Sequence, residues 1–272
     1  MEQIETTEKG KVFMTCKIDK EYTWENVYHQ HIIAFIYSGE LEITYGKNTV
    51  NFVEGDTILV PKNQLSRSIK KPIDGQPFKC LSMAIPEKNL REFYANRTVL
   101  ETWSENALKE RPVKSNTLLK SYFSSLLPYF EMQDELPAPL VDIKILEALT
   151  IIDAADKRAS AILGTFSEIG KIDLKNYMEE HYMYNLPLEK FAALTGRSLT
   201  TFKSDFKKIF KNTPGKWLTE KRLNLAHYKL NAEKLKTSDV YLSVGFENLS
   251  HFSFAFKKAF GYNPSTLANN NY

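Results

Sequence analysis

Residues 188–208 read LEKFAALTGRSLTTFKSDFKK, and residues 239–264 read DVYLSVGFENLSHFSFAFKKAFGYNP. Each stretch is a short apolar helix, a tight turn and a second helix. In the first, the turn falls at Thr195-Gly196-Arg197, and Ser198 is set to cap the helix that follows with its hydroxyl. Phe191, Ala192 and Leu194 supply the apolar side of the leading helix, and Phe202, Phe206 and Ile209 that of the trailing one. The small Ala192 lets the two helices cross closely, and Gly196 permits the turn. In the second stretch the turn is Gly245-Phe246, and the trailing helix runs from about Leu249 to Phe260. Its core positions are Val240, Val244, Phe246, Phe252, Phe256 and Phe260; Gly261 ends it and Pro264 prevents its resumption. Between the two lies Gly215–Glu233, with Trp217, Leu218, Arg222, Leu225, Ala226 and Leu230 at helical spacing. One helix-turn-helix pattern is weak; two in tandem across an amphipathic helix are specific.

Residues of roughly 170–268 resemble the DNA-binding domain of AraC/XylS-type transcription regulators. The likeness is carried by Gly245-Phe246, Phe256-Lys257-Lys258, Gly261 and Asn263-Pro264, and by Arg222 with Ala226 and Leu230 in the linker helix. The layout, including the TTFK that opens the first recognition helix, is similar to the activators of type III secretion within that family. Two positions depart from the pattern. Lys211 stands where the family usually has Gly, and Phe254 where a polar base-reading residue is common. The resemblance implies double-stranded DNA and RNA polymerase as partners, activation as the usual sign of control, and no cofactor.

Helix geometry points the same way. A linker helix of about 19 residues at ~1.5 Å per residue is about 28 Å long, close to the ~34 Å between successive major grooves on one face of B-DNA. By position, Thr200, Lys203 and Ser204 face bases from the first unit, and Ser250, His251 and Phe254 from the second. Arg197, Ser198, Lys207, Lys208, Lys257 and Lys258 suit phosphates.

Charge agrees with this division. Residues 171–272 hold 16 Lys/Arg against 9 Asp/Glu, which leaves 20 basic and 24 acidic residues for the first 170. Only the C-terminal part is suited to a polyanion.

From Ile32 to Ile85 the chain alternates β-prone runs with turns: Ile32–Tyr37, Leu41–Tyr45, Thr49–Val53, Thr57–Val60 and Phe78–Ile85. The turns include Ser38-Gly39, Gly46-Lys47-Asn48 and Glu54-Gly55-Asp56. Such spacing favours an antiparallel barrel or jelly roll, and the stretch resembles a cupin. A metal-binding cupin needs further ligands beside His29 and His31, but Phe35 and Ile36 stand where the acid belongs, and Asn63 and Ser66 in the later positions. Two imidazoles alone make a poor site, so no metal is expected. Phe35, Tyr37, Tyr45 and Phe52 are the candidate lining of a ligand pocket.

After Pro86 the periodicity becomes helical, over Glu87–Asn96, Asn116–Met132 and Leu140–Ala155. The last is apolar on nearly every side and must be covered on two faces. Leu140, Ile145, Leu149 and Ile152 are therefore candidate dimerisation residues, and a homodimer is expected. Ala159–Gly170, small and Gly-punctuated, reads as a linker.

The expected fold is α+β: a cupin-like regulatory and dimerisation domain over 1–165, with helices at about 115–157, then an all-α domain over 166–272. Within the latter the first helix-turn-helix spans about 186–210, the linker helix 215–234 and the second unit 238–261. The N-terminus lacks an apolar signal core and no run spans a bilayer, so a cytoplasmic protein without membrane contact is expected. Two cysteines give neither a disulfide framework nor a zinc motif. No GxSxG, P-loop, GxGxxG or HExxH occurs. The function so read is sequence-specific transcription regulation, controlled by a small-molecule effector or a regulatory protein; the rival is a cupin-type metal-dependent enzyme.

Overall fold

The computed structural model describes residues 4–45, 48–97, 111–113, 116–166 and 172–268. Gly46 and Lys47 of one expected turn, and 167–170 of the expected linker, lie outside them. The chain divides into two compact units, Met1–Ser167 and Glu168–Tyr272. Among the described residues no helix is long and apolar enough to cross a membrane.

The first unit is built on two antiparallel sheets. Its strands are β1 (Ile4–Lys9), β2 (Phe13–Ile18), β3 (Tyr22–Val27), β4 (His31–Ser38), β5 (Glu40–Tyr45), β6 (Asn48–Val53), β7 (Thr57–Val60), β8 (Leu65–Lys71), β9 (Phe78–Ile85) and β10 (Arg111–Pro112). The larger sheet has the order β1-β2-β9-β4-β7-β10, the smaller β3-β8-β5-β6. The architecture is thus two facing sheets and not one closed ring. The helices among the described residues of this unit are α1 (Glu87–Tyr94), which precedes β10, and α2 (Thr117–Glu131), α3 (Ala138–Ala155) and α4 (Lys157–Leu163), which follow it.

The larger sheet is apolar on both faces, which explains why β4 reads as an unbroken apolar run. Ile36, Ile58, Val60 and Phe78 meet Leu41, Ile43 and Phe52 of the smaller sheet in one core. Ile33, Phe35, Leu59, Leu81 and Met83 point the other way, into a core shared with the helices. There Phe35 stacks on Phe123 of α2 with ring centroids 5.5 Å apart.

Side-chain caps fix where the helices begin. Asn116 accepts from the Leu118 N–H at 2.8 Å to open α2, and Asp156 accepts from Arg158 and Ala159 to open α4.

Three expectations are corrected here. The candidate pocket residues do not face one interior: Phe35 and Tyr37 belong to the helix-side core, Tyr45 and Phe52 to the core between the sheets. Ile145, Leu149 and Ile152 are buried in their own unit's core, against which the partly buried Leu140 also packs, so they are not a free dimerisation face. The apolar residues that α3 exposes are Ile143, at 60%, and Leu146, at 53%, with Leu118 and Leu127 exposed on α2. The stretch expected as a linker is, to Leu163, the helix α4, with Ala159 and Leu163 fully buried. Of the two histidines, His29 lies exposed ahead of β4, while His31 opens the strand and is buried, its Nδ1 accepting the Lys62 backbone N–H at 3.3 Å. Burial pushes the His31 imidazole down to about 4, with the nearby Lys62 ammonium adding to the effect and Glu87 opposing it.

Candidate nucleic-acid interface

The second unit consists of α5 (Leu174–His181), α6 (Leu188–Leu194), α7 (Leu199–Phe210), α8 (Pro214–Asn231), α9 (Thr237–Ser243), α10 (Leu249–Phe260) and α11 (Ser265–Ala268). The pairs α6–α7 and α9–α10 repeat one design. In the first turn the Gly196 and Arg197 N–H groups donate to the carbonyls of Ala193 and Ala192 at 3.0 and 2.9 Å. In the second, Gly245 and Phe246 donate in the same way to Leu242 and Tyr241, each at 3.0 Å.

The trailing helices α7 and α10 share one length and one placement of their leucine, phenylalanines and lysine pair. Phe202 and Phe206 are fully buried in one, Phe252 and Phe256 in the other. Ser198 caps α7 by accepting from the Thr201 N–H at 3.2 Å; Asn248 caps α10 by accepting from Ser250 at 2.8 Å and His251 at 3.2 Å. Both helices end on a left-handed residue, Lys211 with φ 54° and Gly261 with φ 86°. Glycine reaches that region freely, while a lysine there carries the cost of a crowded Cβ.

Helix α8 carries an aromatic core towards each end. Near its start Trp217 lies 5.5 Å from the Phe206 ring and 4.6 Å from Phe210. Farther along, Leu223, Ala226 and Leu230 join Phe252 and Phe256 in a second core. There His227 sits 4.7 Å from the Phe260 ring, and its Nε2 is 2.7 Å from the Tyr262 hydroxyl. Arg222, midway, donates to the carbonyls of Tyr182, Gly245 and Tyr184 at 2.8, 3.1 and 2.6 Å.

Opposite their buried phenylalanines the trailing helices present the expected polar faces. Thr200, Lys203, Ser204, Lys207 and Lys208 are exposed on α7. On α10, Ser250, His251, Lys257 and Lys258 are exposed, and Phe254 stands 71% exposed. Ser198 is exposed at the start of α7 while serving as its cap. The basic pairs Lys207-Lys208 and Lys257-Lys258 fall in the last turn of each helix, where cations also suit the helix dipole.

Two residues depart from expectation. Arg197 does not extend to solvent: its Nε pairs with Asp205 at 3.1 Å and its Nη1 donates to the carbonyls of Ile172 and Thr195. The side chain is only 8% exposed, so Arg197 braces the turn and is not a phosphate ligand. Ile209, expected in the core of α7, is exposed. Two structural residues carried no sequence signal for their roles: Asp205, which holds Arg197, and Tyr184, which is fully buried and accepts from Arg222.

Comparisons with known proteins divide the chain in the same place. Residues 191–270 match a family model described as a helix-turn-helix domain. Residues 31–161 match the ExsA N-terminal regulatory domain. The virulence regulon transcriptional activator VirF of Yersinia enterocolitica is 30% identical over 151 residues, covering 54% of this chain and 55% of that protein. The regulator ExsA of Pseudomonas aeruginosa is 28% identical over 134 residues, 48% of each. The chain thus spans about half the length of the curated relatives it matches. Among solved structures, an apo lysine-to-alanine variant of ToxT from Vibrio cholerae aligns with 96% of this chain and 98% of its own, at 13% identity and a TM-score of 0.48.

Proposed function

We propose that the chain is a sequence-specific DNA-binding transcription activator of AraC/XylS type, supported by the match to an ExsA N-terminal regulatory domain ahead of the helix-turn-helix match. The observation that carries this reading is the repeat itself. Two capped helices with the same buried phenylalanine pair, polar outer faces and terminal lysine pairs are fixed to one helix, α8. At 18 residues α8 is about 27 Å long, a length suited to setting two helices into successive major grooves. Thr200, Lys203 and Ser204 read base edges from α7, and Ser250, His251 and Phe254 from α10, the Phe254 ring against a thymine methyl. Ser198, Lys207, Lys208, Lys257 and Lys258 hold phosphates.

The Yersinia relative is a transcriptional activator, and RNA polymerase is the partner such activity requires. Acting on genomic DNA, the protein works in the cytoplasm. The 1–165 domain receives the controlling signal, a small molecule or a regulatory protein, and joins two copies. The surface for that joining is the exposed Ile143 and Leu146 of α3, with Leu118 and Leu127 of α2.

Footprinting of the full chain on promoter fragments from its own genome tests the reading. Expected are two protected major-groove segments per chain about one helical turn apart, and an affinity falling linearly in log–log against salt. Binding indifferent to salt, or no protected segment on any fragment, would overturn it.

A further inference from the structure

The chain has two cysteines, and the fold sets them side by side. Cys16 of β2 and Cys80 of β9 are direct register partners across an antiparallel pair. Residues so opposed project from the same face with Cα atoms about 4.5–5.5 Å apart, within the span that a disulfide bridges. That face looks into the core between the two sheets, where Cys16 is buried and Cys80 half-buried. From the opposite sheet, Lys70 of β8 brings its Nζ to 3.3 Å from the Cys16 sulfur. The same ammonium lies 5.7 Å from the centre of the Phe78 ring. Three reactive groups from three strands thus meet inside the sandwich, beside the apolar residues of its core, in the unit that does not carry the helix-turn-helix pair.

We propose that Cys16, Cys80 and Lys70 form a peroxide-responsive thiol switch, with Cys16 as the attacking thiolate, Cys80 as the resolving thiol and Lys70 as the positioning residue. The assignment of roles follows the electrostatics. The hydrogen bond from the Cys80 thiol, with the Lys70 ammonium beside it, outweighs burial and holds the Cys16 thiol down to about 6. The same hydrogen bond, together with burial, pushes Cys80 up, so it keeps its proton. Besides the two sulfurs, the Tyr28 phenol is the further group that acts on Lys70.

In the first step the Cys16 sulfur attacks one oxygen of a hydroperoxide. The S–O bond forms as the O–O bond breaks, and the leaving oxygen takes a proton from solvent and departs as water or alcohol. In the second, the Cys80 sulfur attacks the sulfenic sulfur of Cys16. The S–S bond forms, the S–O bond breaks, and the departing hydroxide leaves as water with the Cys80 proton. Two thiols lose two electrons in total and one peroxide gains them; an external dithiol reverses the change by exchange. Oxidation removes the anion that faces Lys70, so the thiol state decides whether a charge inside the sandwich is balanced.

The test uses the reduced full chain with a small excess of hydrogen peroxide at pH 7, read by thiol counting and non-reduced peptide mapping. Expected is the joint loss of both thiols, a Cys16–Cys80 linked peptide lighter by two hydrogens, and full reversal by dithiothreitol. In Cys80→Ser, oxidation stops at a Cys16 sulfenic acid that dimedone traps. Lys70→Met, checked for folding by circular dichroism, loses thiols about tenfold more slowly at pH 7, and the gap closes as the pH approaches 9. Should that variant fail to fold, the alkylation rate of the wild-type thiols against pH decides in its place, with a midpoint near 6 expected. Survival of both thiols, linkage only between chains, a Lys70→Met rate equal to wild type, or a midpoint in the ordinary thiol range would each overturn the proposal.

Discussion

Arg222 and Gly245 are joined by a hydrogen bond of 3.1 Å from the guanidinium Nη1 to the glycine carbonyl, and each is shaped to the other. A Cβ on Gly245 would stand 2.9 Å from the Arg222 Nε and 2.5 Å from the Met183 carbonyl oxygen. The glycine has φ +90°, where a side chain is strained in any surroundings. With its other nitrogens on Tyr182 and Tyr184, Arg222 ties the turn of the second helix-turn-helix to the segment that precedes the first.

Gly245→Ala is therefore expected to destabilise the second unit by about 2–3 kcal/mol, from backbone strain and displacement of Arg222. Arg222→Lys, which cannot reproduce three directed bonds with one ammonium, is expected to cost about 2 kcal/mol. Thermal unfolding reads both. A Gly245→Ala protein that melts with the wild type would refute the steric account.

Lys211→Gly should act in the opposite sense. Relieving a left-handed lysine at the end of α7 is worth about 1–2 kcal/mol, offset in part by the entropy of the freed glycine. A net gain of about 0.5–1 kcal/mol is expected in denaturant titration; any loss of stability contradicts it.

Lys203 and Lys257 separate reading from anchoring. Lys203→Ala should cost ~1–3 kcal/mol on the best operator and flatten discrimination at one base pair. Lys257→Ala should weaken all sequences alike and lower the salt slope by about one contact. Competition with single-base-pair operator variants distinguishes them. If the Lys203 variant keeps its sequence preference, Thr200 or Ser204 does the reading.

Within α3, two substitutions should behave differently. Leu149→Glu puts a charge at a site 1% exposed and is expected to unfold the first unit. Leu146→Glu, on the exposed face, should leave circular dichroism unchanged and shift sedimentation towards monomer. A wild-type monomer at tens of micromolar would remove α3 from any assembly.

His31 predicts the acid limb of stability. Its folded value of about 4 lies below the ordinary 6.5, so the unfolded chain binds more protons as pH falls between them. Stability from this group is intact above 6.5 and declines towards pH 4, by about 3 kcal/mol in all. Denaturant midpoints of wild type and His31→Gln across that window should converge as pH falls. Parallel curves would show that His31 is not the group responsible.

The tandem helix-turn-helix was legible because its signals are local: turn glycines, caps and phenylalanines four residues apart need no knowledge of the rest of the chain. The strands β4 to β7 and β9 were legible from their turns. By contrast β1, β3 and β8, reading IETTEK, YTWENV and LSRSIKK, show little apolar pattern, since each is held chiefly by pairing to a neighbour. Which face of α3 is inner was hidden by a helix apolar nearly all round. Parity places Phe35 and Tyr37 on one side of β4, but only the stacking of Phe35 on Phe123 says which layer that side meets. Arg197 misled because a basic residue beside a recognition helix does not reveal that Asp205, eight positions on, already holds it.

Helix α8, gripped by one core near its start and another near its end, leaves natural variation little room. Removing a single residue between Trp217 and Leu223 would turn one core about 100° around the axis relative to the other. Lineages descended from this sequence are free to lengthen their surface loops, but insertions and deletions inside α8 must be purged. The stretch then works as a fixed ruler for comparing distant copies of the gene, even where every side chain on its outer surface has drifted.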